Sequence, residues 1–315
     1  EDDLIMKDPE ITLEEMRNAV CFGAKAMLEK YDLQESYLDG FEYRGVIGEE
    51  RLVPWPELRR YVPRSSLERG RHGFGVIPAG NHFFEIQHIE EIMDEEECIK
   101  HGLFEKGVTF MIHSDGGLVS DDIGNLYGNR TTTKGYVKLL YNLRKLAMHS
   151  RDAMSHGSLS EKMTYYFGGD KFIQVRPDSY EGSRFLRAHH FSMNAGYASR
   201  LSTIGRLSRL LGTLYRSEKA DLKVLCDFSH NSIMQETIGE QAMWIHRHNA
   251  CRVVPDQLVF LPGYSYTSSY ICVGDTGASN FLNTMDHGAG KTIDRMVEAG
   301  IGGPLGDGRA TRSYT

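Results

Sequence analysis

Apolar residues recur every three or four positions from residue 12 to residue 30, a period that predicts an amphipathic helix. Thr12 and Glu15 have the spacing of a capping box at the start of this helix. Helical spacing also covers residues 134–154 and 193–215. In the helix over 134–154 we expect an inward face formed by Val137, Leu140, Leu143 and Ala147.

Shorter apolar runs predict β-strands elsewhere in the chain. Residues 81–87 alternate in a way that places His82, Phe84 and Ile86 on one face of a strand and Asn81, Phe83, Glu85 and Gln87 on the other. Further strands are predicted at Val108–Ile112, Val224–Ser229, Leu258–Leu261 and Tyr264–Val273, and a hairpin at Tyr165–Val175. Three prolines within residues 32–70 predict that this segment is irregular and lies at the surface, as an excursion from the regular elements.

The composition is that of a globular protein, because 40% of the 315 residues are hydrophobic and 25% are charged. No apolar run approaches the roughly 20 residues that a membrane helix requires. The five cysteines are scattered and form no C-x-x-C pair, which argues against a disulfide framework and for a reducing compartment. We therefore expect a cytoplasmic protein with no membrane partner.

The formal net charge of −7 argues against a nucleic-acid partner, but the charges are unevenly distributed. Residues 131–151 and 183–217 contain several lysines and arginines and no acidic residue. A basic face on an acidic body suits a phosphate backbone. The alternative is that both stretches are solvated helix faces.

Three histidines, His82, His113 and His230, each follow an apolar stretch of the chain. Neutral imidazoles that converge from separate strands are suited to a transition metal. For His82 alone, the alternative is a hydrogen-bonded core histidine. Most other histidines, His246 and His248 among them, lack such a context and are interpreted as surface or structural residues.

A fourth histidine, His287, stands directly before a glycine-rich turn, Gly288-Ala289-Gly290. Glycine allows the backbone to approach a ligand closely, and clustered N–H groups favour anions such as phosphate. This setting predicts a histidine that acts on a phosphate. The alternative is that His287 only caps a helix beginning near Thr292.

Taken in order along the chain, these motifs resemble those of the RtcB family of RNA ligases. The two most specific motifs are the Asn-His-Phe strand and the His-Gly-Ala-Gly turn. The matching segments are Gly80–Gln87, Ile112–Ser114, Met193–Ala195, His230–Asn231, Pro262–Gly263 with Ser269, and His287–Gly290.

The resemblance implies a ligase that uses GTP and Mn²⁺ to join RNA ending in a 3′-phosphate or 2′,3′-cyclic phosphate to RNA with a 5′-hydroxyl. It implies that His287 attacks the α-phosphate of GTP and carries GMP covalently, and that His82, His113 and His230 are metal ligands. The residues that it places on the guanosine nucleotide are Asn81, Phe83, Glu85, Asn231, Pro262, Gly263, Ser269, Gly288, Ala289 and Gly290. Those considered for contact with RNA phosphates are Arg247, Arg252 and Arg295.

For the fold, the resemblance implies an α+β class with a mixed β-sheet core and peripheral helices. We expect residues 1–315 to form one RtcB-like catalytic domain, without the family's N-terminal Asp-x-x-Cys-Gly metal-binding segment and its C-terminal end. Two alternatives stay open. One is a divergent, inactive relative that binds RNA or nucleotide, and the other is a metal-dependent hydrolase built on the three histidines. The resemblance also predicts a role in RNA repair or tRNA splicing.

Overall fold

The chain divides into two compact units. Unit 1 comprises Glu1–Asp39 and Tyr43–Lys223, and unit 2 comprises Gly40–Glu42 and Val224–Thr315. The computed structural model describes residues 11–77, 82–128, 135–150, 159–168, 174–217, 219–263 and 268–288. Within those ranges, no helix combines the length and the apolar character that crossing a membrane requires.

Unit 1 is mainly helical. Its α-helices are α1 (Leu13–Phe22), α2 (Leu28–Tyr31), α3 (Trp55–Leu58), α4 (Arg64–Gly70), α5 (Glu95–His101), α6 (Gly117–Tyr127), α7 (Gly135–Ser150), α8 (Leu159–Phe167) and α9 (Tyr180–Leu214). Short 3-10 segments lie at Gly23–Met27, Glu35–Gly40, Glu42–Gly45 and Arg71–Gly73. Strands β1 (Phe83–His88) and β2 (Val108–His113) pair antiparallel. The 35-residue α9 packs against α1 and α6 and is buried along much of its length, so this helix lies inside its unit and not at the periphery.

The capping box at the start of α1 is confirmed. Thr12 Oγ1 accepts a hydrogen bond from the Glu15 N–H at 3.1 Å, and the Thr12 N–H donates to Glu15 Oε2 at 2.6 Å. The single helix predicted over 12–30 is instead broken after Phe22, because Gly23 adopts a φ of +54°. A Cβ on Gly23 would lie 1.9 Å from the Gly45 carbonyl oxygen, so this close backbone approach requires glycine.

Three local predictions in unit 1 are wrong. The excursion over residues 32–70 contains α3 and α4, and Tyr165–Phe167 belong to α8 and not to a hairpin. In α7 the predicted inward residues Leu140 and Leu143 are each 55% exposed, while Lys145, Met148 and His149 are buried. A helical period shows that a helix has an apolar side, but it does not show which side its neighbours cover.

Unit 2 is built from short antiparallel ladders. Its strands are β3 (Asn231–Ile238), β4 (Gln241–His248), β5 (Ala250–Arg252), β6 (Leu258–Leu261), β7 (Tyr270–Val273) and β8 (Thr284–Asp286). They pair as β3–β4, β5–β8 and β6–β7. The predicted strand Val224–Ser229 forms no ladder, and Asp227 makes only an isolated parallel bridge to Phe41. Helices together with small sheets confirm the α+β class.

Candidate active site

In unit 1, the β1–β2 ladder holds two of the predicted metal ligands. Phe83 pairs with His113 across the ladder, and their rings stack with centroids 5.3 Å apart. The His82 ring also stacks on His113 at 5.3 Å, although alternation predicted His82 on the face opposite Phe83. Residue 82 precedes the first ladder pair, so the pleat of the strand does not fix the direction of its side chain.

A carboxylate that the sequence analysis did not select lies beside this histidine pair. Asp115 Oδ2 is 3.8 Å from His82 Nε2, and Asp115 Oδ1 accepts a hydrogen bond from the Gly117 N–H at 2.7 Å. Imidazole nitrogens and a carboxylate oxygen together form a donor set that suits a divalent transition metal. The available signal was the position of Asp115 in the Ser-Asp-Gly-Gly turn directly after His113.

Helix α9 fixes the chain on both sides of the histidine pair. Arg200 Nη1 donates to the Ser114 carbonyl oxygen at 3.1 Å, directly after His113. Ser199 Oγ accepts from the Gly75 N–H at 3.1 Å, and Arg206 Nη1 donates to the Gly75 carbonyl oxygen at 3.0 Å. These α9 arginines therefore bind main-chain carbonyls of unit 1. The hydrogen bonds of Arg200 and Arg206 thus have a structural role inside unit 1.

Asn194, in the middle of α9, explains the Met193–Ala195 motif in structural terms. Its side chain is buried, with Oδ1 accepting from the Ile47 N–H at 2.8 Å. Its Nδ2 donates to the Val20 and Ile47 carbonyl oxygens, each at 3.0 Å. Asn194 thus joins α9 to α1 and to the segment around Ile47, and its hydrogen bonds go to Val20 and Ile47 and not to His82 or His113.

In unit 2, His230 and His287 lie together. His230 precedes β3 and His287 follows β8, yet their ring centroids are 4.3 Å apart. The Nδ1 atoms of both rings are buried. The main chain between β4 and β5 holds both residues, because the Ala250 N–H donates to the His230 carbonyl oxygen at 3.0 Å and the Asn249 carbonyl oxygen accepts from the His287 N–H at 3.4 Å.

The predicted nucleotide residues of unit 2 are only partly gathered. Asn231 lies beside His230 and its side chain bonds to the His248–Asn249 corner. Gly288 donates its N–H to Asp286 Oδ1 at 3.1 Å, directly after His287. Pro262 and Gly263 follow β6, and Ser269 Oγ accepts from the Gly263 N–H at 2.9 Å. The predicted residues that lie outside the described part of the chain are Asn81, Ala289, Gly290 and the helix start near Thr292.

Arg247, which the sequence suggested for contact with RNA phosphates, is buried in unit 2. It is 4% exposed, pairs with Glu236, and donates through Nη2 to the Leu282 and Asn283 carbonyl oxygens, each at 3.1 Å. Arg252 Nε also pairs with Glu236, at 3.2 Å. Arg295 lies outside the described residues. Arg247 is therefore a buried structural anchor of unit 2.

The cysteines support the interpretation of a small buried thiol near His230. Burial raises the pKa of Cys226 to about 12, so the thiol stays protonated at neutral pH. All five cysteines are free, as the sequence analysis expected.

The comparisons with known proteins agree with these motifs. The family model described as "tRNA-splicing ligase RtcB" matches residues 7–299. A protein of that name from Methanopyrus kandleri is 25% identical over 91% of this chain and 30% of its own length. One from Nanoarchaeum equitans is 26% identical over 75% of this chain and 48% of its own length. The chain thus spans less than half the length of these relatives. Because the family model matches most of the sequence, the chain belongs to the tRNA-splicing ligase RtcB family.

Proposed function

We propose that the protein is an RNA ligase of tRNA splicing or RNA repair that works in the cytoplasm with GTP and Mn²⁺. Its substrates are RNA ends that carry a 3′-phosphate or 2′,3′-cyclic phosphate and RNA ends that carry a 5′-hydroxyl. The observation that carries the proposal is His287, which lies at the family's glycine turn with its ring 4.3 Å from that of His230. The name of the matching relatives and the family membership support the reaction class.

We propose that His82, His113 and His230 are the metal ligands. Stacked imidazoles in unit 1 with the Asp115 carboxylate beside them, and a further imidazole pair in unit 2, are donors that fit a divalent transition metal. When bound, Mn²⁺ neutralises phosphate oxygens and polarises the phosphorus that is attacked. Crystals soaked in manganese should show an anomalous peak within coordination distance of these nitrogens, and a peak elsewhere would overturn the ligand assignment.

The chemistry of this chain's own residues centres on His287. Its Nδ1 is buried, so Nε2 is the nitrogen proposed to attack the α-phosphorus of GTP. An N–P bond forms, the bond to the β-phosphate oxygen breaks, and pyrophosphate leaves. An oxygen of the RNA 3′-phosphate then takes the guanylate and frees the imidazole. The 5′-hydroxyl finally attacks the activated phosphate, a phosphodiester forms and GMP leaves. A 2′,3′-cyclic phosphate first requires opening by water.

We propose that the guanosine nucleotide is bound by Asn81, Phe83, Glu85, Asn231, Pro262, Gly263, Ser269, Gly288, Ala289 and Gly290. The Phe83 ring supplies an apolar surface next to His113, and Glu85 lies on the same face of β1. A carboxylate at this position suits the N–H donors of a guanine edge.

The experiment that tests this function is an RNA-joining assay on the full-length protein. An RNA with a 2′,3′-cyclic phosphate and a labelled RNA with a 5′-hydroxyl are incubated with GTP and Mn²⁺. The wild type should give a joined product, and His287→Ala should give none. His246→Ala is the matched control, because His246 is an exposed histidine of the same unit, and this variant should join RNA normally.

The same assay separates the two alternatives. Nucleotide binding without any joined product would indicate an inactive relative. Metal-dependent shortening of the RNA that persists in His287→Ala would indicate a hydrolase. Either result would overturn the proposed ligase.

A further inference from the structure

The corner between β4 and β5, formed by His248 and Asn249, lies next to His230 and His287 without belonging to the predicted site. Asn231 and His248 are the first pair of the β3–β4 ladder, and Ala250 and Asp286 are a pair of the β5–β8 ladder. The corner therefore joins the ladder that follows His230 to the ladder that precedes His287.

The side chain of Asn231 ties this corner together. Its Oδ1 accepts from the Asn249 N–H at 3.1 Å and lies 2.9 Å from His248 Nδ1. A backbone N–H can only donate, so the Asn231 atom that it meets is the amide oxygen. His248 Nδ1 must then carry the hydrogen of the second bond. Two donors on one oxygen fix the orientation of the amide group.

Asn249 adds a backbone constraint. Its φ of +54° lies in the left-handed region, which asparagine and glycine adopt more readily than other residues. In this conformation its carbonyl oxygen accepts from the His287 N–H, while the neighbouring Ala250 N–H donates to the His230 carbonyl oxygen. One bend in the chain thus sets the main-chain positions of both histidines.

We propose that His248 is a positioning residue, which holds the Asn231 amide and the Asn249 bend so that His287 stands beside His230 and Asn231 presents its Nδ2 to the nucleotide. Within the described part of the chain, Asn231 Nδ2 has no hydrogen-bond partner, which leaves this donor for a phosphate or ribose oxygen. The nucleotide contact rests on the proposed function, whereas the hydrogen-bonded corner does not.

The test compares three variants of the full-length protein. His248→Ala removes the donor, and His248→Asn restores one, because the Asn amide nitrogen takes nearly the place of histidine Nδ1. His246→Ala is the control, since His246 lies two residues earlier on the same face of β4 and is equally exposed. The measurements are GMP binding by calorimetry with Mn²⁺ present, and the rate at which GTP labels His287 at saturating GTP.

We expect His248→Ala to weaken GMP binding roughly 3- to 10-fold, the usual effect of one hydrogen bond, and to slow labelling at saturating GTP. His248→Asn should restore both quantities, and His246→Ala should leave both unchanged. If His248 only stabilised the fold, His248→Ala would lower the melting temperature, and His248→Asn would not restore GMP binding and labelling. Equal GMP binding in His248→Ala and wild type would overturn the nucleotide contact.

Hydrogen exchange tests the corner independently of any reaction with GTP. The amides of Asn249 and His287 should exchange faster in His248→Ala than in wild type and at the wild-type rate in His248→Asn. Unchanged exchange in His248→Ala would overturn the positioning role. The wild type could neither bind GMP nor become labelled while amide exchange in the His248 variants changes as expected. That result would overturn the proposed function and support the positioning role of His248.

Discussion

In unit 1, α9 packs against α1 and α6 through small and apolar residues such as Ala195, Ala198 and Leu201, all fully buried. Unit 2 contains the buried ion pair of Arg247 and Glu236, which are 4% and 9% exposed, among few buried apolar residues. The described apolar residues that are buried in unit 2 are Phe41, Ile245, Cys251, Val253, Val259 and Pro262.

The difference concerns how each unit positions its histidines. In unit 1, a helix with an apolar core fixes the ends of the strands through arginine and serine contacts to main-chain atoms. In unit 2, short ladders are tied by polar side chains, so residues such as Asn231 that hold the backbone also lie next to the proposed site. Polar substitutions should therefore affect stability and site geometry together in unit 2, and separately in unit 1.

The largest effect is expected from Arg247→Met. The change leaves the Glu236 carboxylate buried beside Arg252 alone and removes the bonds to Leu282 and Asn283, so we expect a loss of about 3–5 kcal/mol in the free energy of unfolding. Urea unfolding of the variant and the wild type measures this loss in the free energy of unfolding. Arg206→Met in unit 1, which removes the bonds to the Gly75 and Phe74 carbonyl oxygens, should cost less. Equal losses for the two variants would refute the contrast between the units.

The next largest effect is expected from Asn194→Leu. The apolar side chain keeps similar volume but leaves the Ile47 N–H and two carbonyl oxygens unpaired in the interior, at a cost of about 2–4 kcal/mol. Asn142→Leu on the exposed face of α7 is the control and should change stability by less than about 0.5 kcal/mol. Since Asn194 makes its hydrogen bonds to Val20 and Ile47 and not to His82 or His113, GMP binding at low temperature should stay at the wild-type value.

A buried histidine of unit 1 should make stability depend on pH. His149 Nδ1 accepts from Arg184 Nη1 at 2.8 Å, its Nε2 lies 2.8 Å from the Leu126 carbonyl oxygen, and its ring stacks on Tyr166. Burial, with the positive charge of Arg184, lowers its pKa from 6.5 to about 3. The Nε2–H tautomer is therefore the native form.

The sign of that dependence follows from the lowered pKa. Above pH 6.5 the imidazole is neutral in both the folded and the unfolded chain. Its full contribution to the free energy of unfolding is therefore present in this range. As the pH falls from 6.5 towards 3, only the unfolded chain takes up the proton, so stability falls by up to about 1.4 kcal/mol per pH unit. His149→Gln should flatten this slope in urea unfolding between pH 6 and 4, and exposed His246→Gln should not. An unchanged slope in His149→Gln would show that other groups carry it.

The smallest effect is expected from Thr12→Ala, which removes one side of the capping box of α1 at a cost of about 1 kcal/mol. Because this cap lies at the edge of unit 1, the loss should appear as faster amide exchange in the first turn of α1. Loss of exchange protection along α9 as well would mean that the cap supports the whole unit.

Local features of the fold were predictable from the sequence. The capping box depends on residues three apart, and β1, β2 and β6 on alternation or a short apolar run. Contacts between distant residues were not predictable. Arg206 reaches the Gly75 carbonyl over a separation of 131 residues, and no local pattern distinguishes such an arginine from one that binds phosphate. The hairpin at Tyr165–Val175 failed because Gly168 stops a helix as readily as it turns a strand.

In the candidate site, too, local features were predictable from the sequence and contacts between distant residues were not. Histidines beside glycine turns marked His113 and His287, since a glycine turn is a local signal. The His248–Asn249 corner left no such signal, because its role depends on a hydrogen bond to Asn231 across the ladder and on a left-handed φ at a residue that is not glycine.

The proposed ligase reaction depends on a covalent bond between His287 and the α-phosphorus of GTP. The direct measurement incubates the full-length protein with α-labelled GTP and Mn²⁺, then isolates and maps the labelled peptide. We expect an acid-labile label on the peptide that contains His287, absent from His287→Ala and present in His246→Ala. Label that persists in His287→Ala, or that maps to another residue, would show that His287 does not carry the guanylate.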